Sequence, residues 1–282
     1  MKKKRMKPLA FIKKYGRIMI GGTILLAMLA MGVFAPLIVG PDVNPYESYP
    51  YEKMKDPGVD GYIWGTDSWG RDIFAQICYG ARVAIGIPFA VQAVTLLIGT
   101  LVGLVCGYYP KADMVISRLM EALNAIPMFV IALLFCEIFG RSVVSFIISL
   151  ALSRFIDVAR LIRGRVLSIR KEEYIECEKV MGASDLRTLF CHVLPACSNT
   201  LLLRFSTGLA GVLLSMVGLA FMSVGLPTHI PNWGLEVAVG RGMFVLMPHM
   251  VLIPSIFIII TTFGFSMLGE GMRSVIGSGR SN

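Results

Sequence analysis

Residues 83–109, VAIGIPFAVQAVTLLIGTLVGLVCGYY, contain no charged side chain. A helix needs about 20 predominantly apolar residues to cross the hydrocarbon core of a bilayer, and this run exceeds that length. Only helices and closed barrels satisfy their backbone hydrogen bonds in lipid, and the sequence lacks the alternating ten-residue pattern of barrel strands. The run therefore predicts a transmembrane helix and an all-α membrane fold.

The composition of the whole chain agrees with this interpretation. Hydrophobic residues make up 55% of the 282 residues, charged residues 16%, and the mean hydropathy is +0.71. A soluble domain of this size carries about a quarter charged residues. The chain has too few polar residues to cover a water-soluble globule, so lipid is the expected solvent for much of it.

Five further apolar segments complete a prediction of six transmembrane helices: residues 18–39, 119–139, a segment starting at Ser142, 205–235 and 242–269. The first reaches roughly 33 Å at 1.5 Å per residue, and it is longer than the core of a cleaved signal peptide. The segment after Ser142 is expected to leave the membrane as a continuous helix, because charged residues recur on one of its faces: Arg154, Asp157, Arg160 and Arg163.

The distribution of basic residues predicts the orientation in the membrane. Eight of the 27 lysines and arginines lie within residues 1–17, directly before the first apolar run, which places the N-terminus in the cytoplasm. Residues 40–82 are richer in acidic side chains and are expected outside. An even number of spans then puts both termini inside. The net charge of +9 thus reflects membrane orientation, and no basic patch interleaved with aromatic residues predicts nucleic-acid binding.

The expected organisation follows from these segments. It comprises a basic cytoplasmic N-terminus (1–17), a first transmembrane helix (18–39), an extracytoplasmic loop (40–82), a five-helix core (83–272) that includes a cytoplasmic loop at 165–198, and a cytoplasmic tail (273–282). Metal binding is not expected, because the six cysteines form no Cys-x-x-Cys pair and the spacing of Cys191, His192 and Cys197 fits no zinc pattern.

Residues 173–195, EYIECEKVMGASDLRTLFCHVLP, lie in the only long polar segment of helix-favouring composition, residues 171–197. They predict a helix over 172–181, a break at Gly182 in the left-handed conformation, and a second short helix capped by Ser184 or Asp185. Leu194-Pro195 is expected to end that helix, and four apolar residues line one of its faces: Leu186, Leu189, Phe190 and Val193. Such an amphipathic hairpin suits a groove on a soluble partner. A DNA-reading helix-turn-helix is the competing interpretation, which the acidic residues and the membrane tether disfavour.

This stretch resembles the cytoplasmic coupling motif of ABC-importer permeases through Glu176-Cys-Glu, Gly182 and Leu194-Pro195. The similarity is to the dipeptide/oligopeptide/nickel permease family, and specifically to its C-type subunit. Further matching motifs lie at residues 64–72 (WGTDSWGRD), 79–82 (YGAR), 159–164 (ARLIRG), 166–168 (VLS), 231–234 (PNWG) and 268–273 (LGEGMR). The chain departs from the pattern at Cys177-Glu178, where the family usually has two alanines, at Ser266-Met267, and in a tail without Asp-Pro.

The resemblance implies a type I ABC importer permease in the plasma membrane of a prokaryote, with six transmembrane helices and a coupling-helix hairpin. It implies a homologous second permease subunit, two ATPase subunits and an extracytoplasmic substrate-binding protein as partners. The residues it assigns to ATPase coupling are Glu176, Gly182, Ala183, Asp185, Leu194 and Pro195. The sequence lacks a Gly-x-x-x-x-Gly-Lys-Ser/Thr loop, so ATP and magnesium are expected on the partner ATPases and no catalytic, cofactor or metal residue is expected here.

The substrate stays open at this point. Di- and oligopeptides are the first candidate, and nickel or another chelated metal is the alternative within the same architecture. A secondary transporter or a channel is the alternative of another class, although no internal repeat or central acidic group stands out. The sequence does not identify the residues that contact the substrate. The loop at 65–72 is interpreted first as a capped start of the second span, with direct substrate contact as the alternative. Glu121, Asn124 and Glu137 are polar groups in a membrane segment, where such groups are often functional.

Overall fold

In a computed structural model, the described residues 8–40, 43–45 and 47–278 form eleven α-helices. These are α1 (Pro8–Val33), α2 (Ala35–Val39), α3 (Ile73–Tyr108), α4 (Pro110–Asn124), α5 (Met128–Phe139), α6 (Val143–Ile169), α7 (Glu173–Val180), α8 (Asp185–Thr188), α9 (Leu194–Phe221), α10 (Trp233–Gly240) and α11 (His249–Ser278). Within those ranges the only β structure is an isolated bridge between Thr66 and Asp72. The prediction of an all-α fold is confirmed.

Four helical segments are long and apolar enough to cross a membrane: Tyr15–Val33, Ile73–Tyr108, Asp185–Phe221 and His249–Ile276. A fifth candidate combines α4 and α5, which meet at an angle of 93°. Helix α6 is the remaining predicted span. It is 27 residues long, but its charged stripe begins halfway along it. The protein is therefore a multi-pass membrane protein with four or five spans by length and composition, and the count of six stays a prediction.

Two of the predicted spans are broken at prolines, and a third, expected over 205–235, ends at Phe221, with helix resuming only at Trp233. The helix expected over 119–139 ends at Asn124 and restarts at Met128, because Pro127 has no N–H and disfavours helical geometry in the residue before it. The helix expected over 18–39 likewise ends at Val33 and restarts at Ala35, with a proline at the start of α2. Both breaks follow from prolines inside apolar runs.

Helix α3 lies at the centre of the bundle and contacts α1, α6, α9 and α11. Its closest neighbour is α6, which packs against a row of glycines: Gly99, Gly103 and Gly107. A Cβ on Gly103 would lie 2.7 Å from the carbonyl oxygen of Ala159 and 2.8 Å from Cβ of Ile162. The two backbones approach closely only because these side chains are missing, as in other membrane helix pairs.

Gly103→Val is expected to lower the thermal stability of the protein, because the added side chain forces α3 away from α6. Overpacking of this kind costs about 1–3 kcal/mol. The measurement is the melting temperature of the purified protein in detergent. Gly86→Val is the matched control on the same helix, since a Cβ at Gly86 would meet no atom within 4 Å. Equal melting temperatures for the two variants would contradict this packing.

Candidate coupling surface and buried ion-pair network

The predicted coupling stretch folds as two helices joined by a tight turn. Helix α7 ends at Val180, and Gly182 adopts a φ of +81°, the left-handed conformation that glycine takes without strain. The N–H of Ala183 donates to the carbonyl of Glu178 at 3.0 Å, which satisfies the end of α7. Ser184 then caps α8, because its hydroxyl oxygen accepts from the N–H of Arg187 at 3.4 Å. We call residues 173–193 the α7–α8 hairpin.

The prediction that Leu194-Pro195 ends the second helix is wrong. Helix α8 passes through a π-helical turn at residues 189–193 and continues as α9 to Phe221. The N–H of Leu194 donates to the carbonyl of Leu189, five residues back. This wider turn separates the ring of Pro195 from the carbonyl of Cys191, with which it would clash in a regular α-helix. The hairpin is thus continuous with a candidate membrane span.

The apolar stripe of the second helix divides between core and surface. Leu189 and Val193 are buried in a cluster with Val166, Ile169 and Ile175. The other two stripe residues are exposed, as are the two residues before Gly182. We call these four side chains the apolar tip: Val180 (88% exposed), Met181 (77%), Leu186 (66%) and Phe190 (50%). Large apolar side chains left exposed around one turn are typical of a protein-binding surface.

Asp185 ties the hairpin to the end of α3. Its Oδ1 accepts from the hydroxyl of Tyr108 at 2.9 Å, and the carbonyl of Tyr108 in turn accepts from Nη1 of Arg170 at 3.1 Å. Tyr108 is the last residue of α3, a candidate span. The hairpin is therefore hydrogen-bonded to the end of a candidate membrane span.

Glu178, which departs from the family pattern, lies within the hairpin rather than on its outer face. Its carboxylate contacts Nε2 of His192 at 2.7 Å and accepts from the hydroxyl of Thr188 at 3.4 Å. Cys177 is exposed beside it. The larger side chain at position 178 thus links α7 to the following helix.

The six coupling residues fall into three groups in the structure. Gly182, Ala183 and Asp185 lie at the turn, with Glu176 exposed on α7 beside a surface cavity of about 410 Å³. Leu194 and Pro195 lie beyond the π-helical turn, in the first turn of α9, and are half-buried and exposed respectively. The structure therefore brings Gly182, Ala183 and Asp185 together at the turn, places Glu176 on α7 beside the end of α6, and places the last two at the junction with the membrane span.

The candidate metal ligands of the sequence do not form a site. Cys191 is exposed, whereas Cys197 is buried in the core. Across residues 8–40, 43–45 and 47–278, no group of three or more His, Cys, Asp or Glu side chains is arranged to hold a metal ion.

A second polar site joins two of the sequence motifs. The buried guanidinium of Arg71 donates from Nε to Asp67 Oδ2 and from Nη2 to Glu236 Oε1, each at 2.7 Å. Asp67 Oδ1 also accepts from the backbone N–H groups of Trp69 and Arg71. Close by, the indole N–H of Trp233 donates to the carbonyl of Ile77 at 3.0 Å. Residues 64–72 and 231–236 are thus held together over α3.

The sequence interpretation of residues 65–72 as a capped helix start agrees with the geometry. Asp72 precedes α3 and accepts from the N–H of Phe74 at 3.0 Å. Glu236 was not singled out from the sequence. The only local signal was an acidic residue directly after an apolar run, and its partner lies 165 residues earlier.

Burial raises the pKa of Glu236 to about 7, and the negative charge of Asp67 adds to the effect while Arg71 opposes it. Two carboxylates share one guanidinium, so the second is hard to ionise.

The contribution of Glu236 to the stability of the fold is expected to fall as the pH rises from about 4.5 to about 7. Folding raises the pKa of this carboxyl, so its contribution to stability is complete at pH values below its pKa in the unfolded chain. That contribution is lost as the pH rises through its pKa in the folded protein. In Glu236→Gln this pH-dependent loss is expected to be smaller. A pH series of thermal unfolding in detergent tests this, and an unchanged profile in the variant would contradict the assignment.

Comparison with known proteins identifies the class of chain that carries these features. A sequence model described as "Binding-protein-dependent transport system inner membrane component" matches residues 99–278. The dipeptide transport system permease protein DppC of Alkalihalophilus pseudofirmus is 31% identical over 266 residues, which cover 94% of this chain and 86% of that protein. The glutathione transport system permease protein GsiD of Pectobacterium atrosepticum is 30% identical, covering 90% and 84%. The oligopeptide transport system permease protein OppC of Bacillus subtilis is 28% identical, covering 92% and 84%.

Proposed function

This chain belongs to the family of binding-protein-dependent transport system inner membrane components, and from that premise we propose that it is a transmembrane permease subunit of an ATP-driven importer of di- and oligopeptides. It forms half of the translocation pathway and is not itself an enzyme. The observation that carries the proposal is the similarity to a dipeptide permease over 94% of the chain. The relatives named above are permeases for a dipeptide, glutathione and oligopeptides, which favours peptides over nickel as the substrate.

In the membrane, the proposal places six spans with both termini in the cytoplasm. The bent pair α4 and α5 counts as one span, and α6, whose charged C-terminal part extends into the cytoplasm, counts as another. The excess of basic residues in 1–17 and in the loop at 160–199 supports this orientation. The α7–α8 hairpin then lies on the cytoplasmic side, where soluble ATPase subunits reach it.

The mechanism is a coupled switch between two states. Two ATPase subunits bind ATP and magnesium, and one of them holds the hairpin of this chain through Glu176, the Gly182 turn and the apolar tip. When ATP closes the ATPase pair, the hairpins move, and the bundles of this chain and of a second permease rock between inward-facing and outward-facing states. ATP drives this change because it binds more tightly to one of the two states of the complex than to the other. An extracytoplasmic binding protein delivers the peptide.

The test is to purify the complex and measure ATP hydrolysis in lipid. Hydrolysis is expected to rise when binding protein loaded with a di- or oligopeptide is added, and not when nickel replaces the peptide. Stimulation by nickel alone would favour the metal importer. If no ATPase co-purifies with the chain, the result would favour a secondary transporter or a channel instead.

A further inference from the structure

The break between α4 and α5 leaves a long stretch of this chain uncovered. All ten residues from 121 to 130 are exposed. The two helices meet there at 93°, and the helical hydrogen-bond ladder is interrupted between Asn124 and Met128. Each helix end leaves backbone N–H or C=O groups without an intrahelical partner. The break therefore presents polar backbone groups on the surface of the chain.

The break lies at a level where the central helix of the bundle is still apolar. Residues of the break share a cavity with Ser153 and Asp157 of α6. At the next position of α6, Val158 packs against α3, since a Cβ on Gly99 would lie 2.5 Å from the Cβ of Val158. From Gly99 to its end at Tyr108, α3 carries no charged residue. The break is therefore at membrane depth, at the level where the charged stripe of α6 begins and before that helix leaves the membrane.

Lipid is an unsuitable neighbour for this surface. Non-helical backbone within the hydrocarbon region is tolerated only where protein buries it or where it lines a water-filled cavity. The side chain of Asp157, which lines the cavity at the break, is 50% exposed and lies 3.6 Å from Arg204. Charged side chains within membrane segments face the interior of a bundle or water rather than lipid. The backbone of the break and the carboxylate of Asp157 thus independently turn this surface away from lipid.

The cavity at the break combines apolar walls with one free amide group. Its volume is about 120 Å³, and its only polar side chains are Asn124, Ser153 and Asp157. The hydroxyl of Ser153 already donates to the carbonyl of Leu150 at 2.8 Å, and Asp157 is paired with Arg204. Among the described residues, the carboxamide of Asn124 has no hydrogen-bond partner. A carboxamide both donates and accepts, as a peptide bond does, so the two groups are complementary.

We propose that the α4–α5 break lines the water-filled translocation pathway and that the carboxamide of Asn124 contacts the main chain of the passing peptide; this inference rests on the proposed function. The main chain is the part that all peptides share, whatever their side chains. A single neutral contact holds it weakly, as a pathway that must release its cargo requires. A second permease packed against the break is the competing occupant. It would have to pair the exposed backbone groups and bury Asp157, which is costly.

Thiol labelling tests whether the break faces water in the complete complex. Cys177 and Cys191, the two exposed cysteines, are first replaced by serine, which leaves four buried cysteines. Ile126→Cys is then treated, in proteoliposomes without ATP, with membrane-impermeant methanethiosulfonate-ethyltrimethylammonium on both sides of the membrane. It is expected to react about tenfold or more faster than Ile259→Cys, because only a thiol in water ionises readily. The labelled Ile126→Cys complex is expected to lose peptide uptake.

Ile259 is the matched control for this labelling. It is 66% exposed on α11, on a face that it shares with Leu252, Ile256 and Phe263, which are also exposed. A face of a candidate span with only large apolar side chains is expected to contact lipid. Ile259→Cys is therefore expected to react slowly and to keep wild-type uptake after treatment.

Uptake of trialanine, with the binding protein and ATP, tests the contact with the main chain. Asn124→Leu keeps the size of the side chain and removes both hydrogen-bonding groups. It is expected to lower uptake about three- to tenfold, as the loss of one or two hydrogen bonds implies. Asn124→Gln keeps the carboxamide and is expected to retain most uptake. Glu121→Gln, also exposed on α4, is the control. Equal amounts of co-purified second permease and ATPase show that the variants assemble.

Each outcome decides the proposal. Failure of Ile126→Cys to react would mean that protein or lipid covers the break, and it overturns the proposal; cross-linking from this position to the second permease would identify the cover. Reaction that leaves uptake unchanged also overturns it, because the break would then lie outside the pathway. Wild-type uptake in Asn124→Leu, or equal losses in Asn124→Leu and Asn124→Gln, contradicts the contact with the main chain. If the wild-type complex transports no peptide, the proposed function itself fails, whereas the labelling of Ile126→Cys still reports whether the break faces water.

Discussion

Gly182→Asp is expected to reduce peptide uptake to background while the chain still inserts into the membrane. Gly182 has a φ of +81°, where an L-residue is strained by about 1–2 kcal/mol. A Cβ there would meet no atom within 4 Å, so the new carboxylate projects from the surface and does not disturb the core. An ATPase groove fitted to bare backbone would instead meet a side chain and a charge. Uptake assays and the amount of membrane-inserted chain measure the two effects separately.

Gly140 provides the matched control for this variant. It also has a positive φ, +76°, and a Cβ there would likewise meet no atom within 4 Å. Its turn is predicted on the opposite side of the membrane, so Gly140→Asp is expected to leave uptake near the wild-type level. Gly182→Asn, which keeps the size but not the charge, is expected to be less severe. Normal transport in Gly182→Asp, or an equal loss in Gly140→Asp, would count against the coupling assignment.

The double variant Leu186→Asp/Phe190→Asp is expected to lose its contact with the ATPase subunit that holds its hairpin, so that less ATPase co-purifies. Both side chains are exposed in this chain, by 66% and 50%, so the fold does not depend on their burial. Burial of a large apolar side chain contributes about 1.5–3 kcal/mol. Replacing two of them with charges is therefore expected to weaken the association about 100-fold or more. The measurement is the amount of ATPase that co-purifies with the tagged permease.

Val245→Asp serves as the control for this pair. Val245 is 93% exposed and follows α10, outside the α7–α8 hairpin. The amount of co-purified ATPase is expected to match the wild type in this variant. An unchanged amount of co-purified ATPase in the double variant would mean that the apolar tip does not contact an ATPase subunit.

The sequence predicted helices correctly where an apolar composition determines them. It predicted the effect of a proline on a helix less well. Pro36 and Pro127 interrupt helices, whereas Pro195 lies inside a continuous helical segment of 37 residues. All three lack the N–H donor. The difference at Pro195 is the π-helical turn before it, which depends on how residues 189–193 pack in the core. A sequence pattern does not show that packing.

The turn at Gly182 was predictable because glycine and the following Ser184 are local signals. The contacts that join distant parts of the chain were not. Glu236 pairs with Arg71 across 165 residues, and the hydroxyl of Tyr108 donates to Asp185 across 77. A single sequence gives no information on which charged groups meet after folding. Arg154 was noted in a polar stripe, but its contacts with Ser215 and Gly211 on α9 became visible only in the structure.

The proposed mechanism requires that the α7–α8 hairpin lies in the cytoplasm and is held there by an ATPase. Cys177 and Cys191 are exposed on this hairpin, whereas the other four cysteines are buried, so a membrane-impermeant thiol reagent reports on its location. Both are expected to react in inside-out vesicles stripped of ATPase, to be unreactive in right-side-out vesicles, and to react more slowly when the ATPase subunits are bound. Labelling of Cys177 or Cys191 from the outside would show that the hairpin does not face the cytoplasm and would contradict the proposed coupling to an ATPase.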